Sequence, residues 1–133
     1  MLKTISFALG LSLAAATSVH AQTYICKFRG GGSNGTISPE VLVEFDGKGG
    51  AQITDRLSKH HGRSPVQAKF VQDNDKQMRV RWRLEDVVSG KGQKATLEWS
   101  LVYKKKRNRA HLTFNAFGYP NTETGNGSCA LQK

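Results

Sequence analysis

"QMRVRWRL", Gln77 to Leu84, alternates without a break. Met78, Val80, Trp82 and Leu84 fall on one side of an extended chain, and Gln77, Arg79, Arg81 and Arg83 on the other. That period of two belongs to a half-buried strand, whose successive side chains point to opposite faces. On a helix the same arginines would be mixed with the apolar residues around the circumference. The stretch predicts a strand with an inner face bearing tryptophan and an outer face bearing arginine.

The pattern repeats on either side. Tyr24, Cys26 and Phe28 share one face of a first strand, which the glycine-rich "RGGGSNGTISP" from Arg29 to Pro39 cannot continue. Val41, Val43 and Phe45 mark a second strand ended by the "DGKGG" turn, and Ala51 and Ile53 begin a third. "RLSKHHGRSP", Arg56 to Pro65, reads as a polar loop before Val66, Ala68 and Phe70, which "DNDK" stops. Beyond a loop over Glu85 to Lys94, Ala95, Leu97, Trp99, Leu101 and Tyr103 face inward, followed by Ala110, Leu112, Phe114 and Ala116. "FGYPNTETGNG" reads as a loop and Ser128 to Gln132 as a last short strand. No segment after Ala21 has helical spacing over the length a helix needs. The expected class is all-β: an antiparallel meander of about eight strands, either a closed barrel (lipocalin-like or similar) or a two-sheet sandwich.

The first 21 residues carry one cation at Lys3, an apolar run from Ile5 to Val19, and small Ala21 before Gln22. They read as a Sec-type signal peptide cleaved after Ala21, since the run is too short for a span and no stop-transfer charges follow. Residues 22–133 are then a single domain with no transmembrane segment expected. Cys26 lacks the leucine and small residues that precede a lipoprotein cysteine, so the expected mature chain is soluble, periplasmic or secreted. Removing Lys3 leaves a net charge one unit below the +10 of the full chain. This favours polyanions such as nucleic acid, lipid head groups or acidic polysaccharide, by sign alone.

Both cysteines, Cys26 and Cys129, lie beyond the leader, and an oxidising compartment would join them. In the chain-entropy model a loop of about a hundred residues contributes up to about 4.7 kcal/mol. The bridge also predicts that the first and last strands lie side by side.

"SLVYKKKRNRAHLTF", Ser100 to Phe114, reads as a hairpin. Inward residues must oppose inward residues, and a turn centred on Arg107 and Asn108 pairs Tyr103 with Leu112 and Leu101 with Phe114. Lys104 would then oppose His111. Parity places Glu98 opposite Arg79, Arg81 or Arg83, neutralising one of them. The remaining cations form a basic strip across three strands: Arg79, Arg81, Arg83, Lys94, Lys104, Lys105, Lys106 and Arg109. Such a strip can bind a polyanion by counterion release, or can simply guard an outer face against aggregation. Trp82, Trp99, Tyr103 and Phe114 face inward, so no specific nucleic-acid readout is expected.

His60, His61 and His111 are the histidines beyond the leader. Adjacent histidines diverge in an extended backbone and no second cluster has ligand spacing, so neither metal nor cofactor is expected. A small basic ribonuclease-like hydrolase could combine His60 or His61 with His111 and Lys104. No nucleophile motif, phosphate loop or carboxylate dyad accompanies them, and the chain is expected not to be an enzyme. Asn34 and Asn126 match glycosylation acceptors for a eukaryotic source. Tyr119 is an aromatic in a polar connection and a candidate loop contact, or else a staple onto the barrel end.

The opening Tyr24-Ile25-Cys26 and closing Gly127-Ser128-Cys129 resemble the corresponding ends of periplasmic inhibitors of C-type lysozyme. The inhibitors' inner serine, glycine and lysine loop motif is not found, and a cationic enzyme would repel so cationic a partner. What the resemblance implies, an inhibitor or accessory protein binding another periplasmic protein, is one alternative reading. The hydrolase is another. The leading expectation is a non-catalytic binding protein whose basic face meets an anionic polymer or lipid head group of the envelope.

Overall fold

The strand that begins at Gln77 runs on to Val88, past the expected loop at Glu85. It does so through a register shift between Leu84 and Val87, with Asp86 at a φ of 52°. The Arg63 guanidinium donates to the carbonyls of Glu85 and Asp86, holding the irregular turn of chain that the alternation does not announce. The computed structural model describes residues 21–29, 35–120 and 122–132. The expected leader, apart from Ala21, and the Asn34 acceptor lie outside the described residues.

The elements are β1 (Thr23–Arg29), β2 (Glu40–Phe45), β3 (Ala51–Thr54), α1 (Arg56–His60), β4 (Val66–Gln67), β5 (Phe70–Asp73), β6 (Gln77–Val88), β7 (Lys94–Lys104), β8 (Arg109–Ala116) and β9 (Thr122–Gln132). They form one antiparallel sheet in the order β4-β3-β2-β1-β9-β8-β7-β6-β5, not the two sheets of a sandwich. Its ends, β4 and β5, are two halves of one run of chain. The Ala68 amide donates to Ala51 of β3, and the next amide, Lys69, donates to Arg81 of β6. The sheet therefore curls until both ends meet on that run, and the single fourth strand expected from sequence is split in two.

The split changes which way a side chain points. Val66 and Ala68 pack inward, but Phe70 pairs with Arg81 and lies 41% exposed on the outer surface, where alternation had placed it inside. Val71 takes the inward position instead.

Inside, Trp82 and Trp99 stack with centroids 5.8 Å apart and planes 9° from parallel. Each indole N–H is satisfied, Trp82 by the Asp55 carboxylate at 3.0 Å and Trp99 by the Thr36 carbonyl at 2.9 Å. Ile37, from the glycine-rich segment, completes the core. Cys26 faces Cys129 directly across β1 and β9, and the disulfide joins them, so the terminal strands pair as expected.

Two segments read as loops are structured. Arg56 to His60 form one helical turn because Asp55 caps it, accepting from the amides of Leu57 and Ser58. The "TETGNG" segment belongs to an eleven-residue β9. Its glycines are there for closeness. A Cβ on Gly127 would come within 1.8 Å of the Lys27 carbonyl oxygen, and one on Gly125 within 2.6 Å of the Ile37 side chain.

Candidate functional site: a cationic path along β6

Alternation along β6 sends Arg79 and Arg81 outward, both exposed, with Arg83 half-buried beyond them. The outer face is extended by the hairpin, but in a register that differs from the one expected. The turn is Lys105 to Asn108, so Tyr103 pairs with Ala110, Leu101 with Leu112, and Trp99 with Phe114. The reason is Asn108, which takes the left-handed conformation at φ 49° and accepts a hydrogen bond from the Tyr103 hydroxyl at 2.9 Å. That centres the turn one residue earlier than the sequence suggested, between Lys106 and Arg107. Lys104 now opposes Arg109, and His111 opposes Val102, with its Nδ1 2.7 Å from Asn126 Oδ1.

The expected strip divides accordingly. Arg83 is the arginine that meets Glu98, at 2.5 Å. Lys105 turns away from the outer face and pairs with Asp73 at 2.6 Å, its ammonium also 5.9 Å from the Tyr24 ring centroid. Burial works against the charge of Lys105, but the Asp73 hydrogen bond and charge more than offset it and hold its pKa above the usual lysine value. Lys94 sits at the far end of β7, opposite Val88. Lys104 and Lys106 line a cleft of about 690 Å³ together with Lys76 and Arg107, and Asn74, Asp75 and Gln77 complete its wall. Lys104 Nζ donates to Gln77 Oε1 at 2.6 Å. Arg109 lies on the other side of the hairpin, in a second cleft with Lys27 and Arg29.

Further along β6, outward Arg79 and Arg81 follow Gln77 at alternate positions. Next comes a groove of about 210 Å³ lined by Phe70, Arg79, Arg81, Ser100 and Val102. Arg81 lies over the Phe70 ring at 5.4 Å, and Arg83 over the ring of Phe117 at 5.0 Å. Phe117 is 44% exposed. Neither ring was assigned to the outer face from sequence: Phe70 changes side at the β4–β5 junction, and Phe117 follows the last alternating residue of β8. The four aromatic residues expected inside, Trp82, Trp99, Tyr103 and Phe114, are buried.

Tyr119 is exposed, and its hydroxyl donates to Gln93 at 2.9 Å, tying the turn after β8 to the loop between β6 and β7. His60 lines a separate cleft with Glu40 and Leu42, whereas His111 sits on the outer face of β8. Among the described residues no group of three or more metal-ligating side chains gathers, and no helix is long and apolar enough to cross a membrane. No family model, no curated protein and no solved structure matches the chain.

Proposed function

We propose that this is an exported, non-catalytic binding protein that holds an anionic polymer of the cell envelope along the outer face of β6. One observation carries the reading. Among the described residues the ion pairs are Arg83 with Glu98 and Lys105 with Asp73, which leaves Arg79, Arg81, Lys104, Lys106 and Arg107 without an ion-pair partner along β6 and the adjoining hairpin, where Asp75 is the carboxylate of the cleft. Like charges held together repel, and a chain of anions removes that repulsion while releasing its own counterions.

Binding of this kind has a measurable signature. Each phosphate contact contributes a slope of about −0.7 to −0.9 in log affinity against log salt, so four contacts give about −3. The purified mature chain should stay on a phosphate-bearing column well above physiological salt. The variant carrying Arg79→Gln, Arg81→Gln, Lys104→Gln and Lys106→Gln should elute early with a nearly flat salt dependence. Unchanged retention of that variant sinks the reading.

A further inference from the structure

We infer that the polymer held along β6 is single-stranded nucleic acid, bound without regard to sequence and with its bases stacked on the two guanidinium–phenyl pairs. This rests on the polyanion reading but puts a nucleic-acid strand in place of an envelope polymer as the ligand. Arg81 and Arg83 leave one face of β6 about 7 Å apart along the backbone, and each guanidinium lies over an exposed ring, Phe70 on the β5 side and Phe117 just past β8. That backbone spacing is about twice the roughly 3.4 Å rise per nucleotide in a stacked strand, so successive outward arginines keep step with every second nucleotide. Glu98 holds the Arg83 guanidinium in place over its ring, while Arg81 and Arg79 flank a groove too small for a free ligand and suited to one unit of a chain.

A polyphosphate or acidic polysaccharide presents charge but no planar π face at each repeat. A nucleobase presents both a π face and, through its backbone, a phosphate for the lysine cleft. Stacking of this type accepts every base, because every base has a π face. From Gln77 to Arg83 the strand extends about 20 Å, room for about three such nucleotides, with a further phosphate in the cleft of Lys76, Lys106 and Arg107.

The test compares labelled dT12 with inorganic polyphosphate of similar charge, by fluorescence anisotropy at fixed salt, using the mature chain. Wild type should bind dT12 more tightly than polyphosphate and more tightly than a 12-base-pair duplex. Phe70→Leu with Phe117→Leu, which keeps apolar cover on an exposed surface, should lower dT12 affinity by at least 25-fold, since each stack is worth roughly 5- to 150-fold. Polyphosphate affinity should stay within about twofold, and Phe70→Tyr with Phe117→Tyr should restore dT12 binding. Equal affinity of wild type for both polymers, or equal losses in the leucine variant, overturns the nucleic-acid assignment and leaves polyanion binding standing. Failure to bind either polymer overturns both.

Discussion

Asp55 shows how much one side chain can organise. It is 2% exposed, and its carboxylate accepts from the Leu57 and Ser58 amides, the Ser58 hydroxyl and the Trp82 indole. Four donors from two elements meet on one group, so removing it strands several buried polar atoms at once. Asp55→Ala should cost about 3 kcal/mol and lower the melting temperature by about 10 °C or more, with a shift in tryptophan emission. The signal for this was present in the sequence, an acid three residues ahead of Ser58, but a five-residue helix has too few turns to show a period. Gly127 was equally hidden. Its place in "GNG" looks like a turn, while its role is to let β9 lie against the Lys27 carbonyl. Gly127→Ala should abolish soluble protein. Gly118→Ala, at a φ of 84° with nothing within 4 Å, should cost only about 1 to 2 kcal/mol, and comparing soluble yields and melts of the two variants checks this.

At the scale of elements, alternation was legible wherever a strand ran straight. The inner and outer faces of β6, β7 and β8 follow directly from the residue pattern, because burial on one side leaves no freedom of parity. What failed was continuity. Phase is lost at the β4–β5 junction, which turned Phe70 outward, and hairpin register depends on Asn108 adopting a positive φ, which composition alone does not dictate. The same hairpin gives a pH dependence. Tyr103 is raised above its ordinary 10.0, chiefly by burial, and Lys105 above its ordinary 10.5 by Asp73 despite burial. Both groups hold their protons more tightly when folded, so their stabilisation is complete below those ordinary values and is lost as pH rises through the folded ones. The melting temperature should fall above about pH 10, and Tyr103→Phe should reduce that fall. A slope unaltered by the substitution would show that other groups govern the alkaline limb.

For the molecule as a whole, two cysteines were enough to predict that the chain's terminal strands meet, and β1 does pair with β9 at that bridge. Whether the sheet curled until its ends met was not legible, because that lies in the Ala68 and Lys69 amides, whose hydrogen bonds leave no mark on side-chain pattern. Since β1 and β9 are also joined by their ladder, reduction should leave the fold intact while lowering the unfolding free energy by about 2 to 4 kcal/mol in urea titrations.

The β4–β5 run also decides where the molecule opens. Along the curl of strands it lies opposite the disulfide-linked pair, and at its crossover one backbone hydrogen bond reaches to each side, from Ala68 to Ala51 and from Lys69 to Arg81. Opening there separates β3 from β6 without disturbing the covalent link, so the Ala68 and Lys69 amides should exchange hydrogen with solvent ahead of those in β6, β7 and β8. A polymer bridging Phe70 on β5 and Arg81 on β6 would fasten one side of this seam. Protection of the Lys69 amide would then rise with ligand concentration, and occupancy of the outer surface could be read from the exchange rate of a single backbone proton.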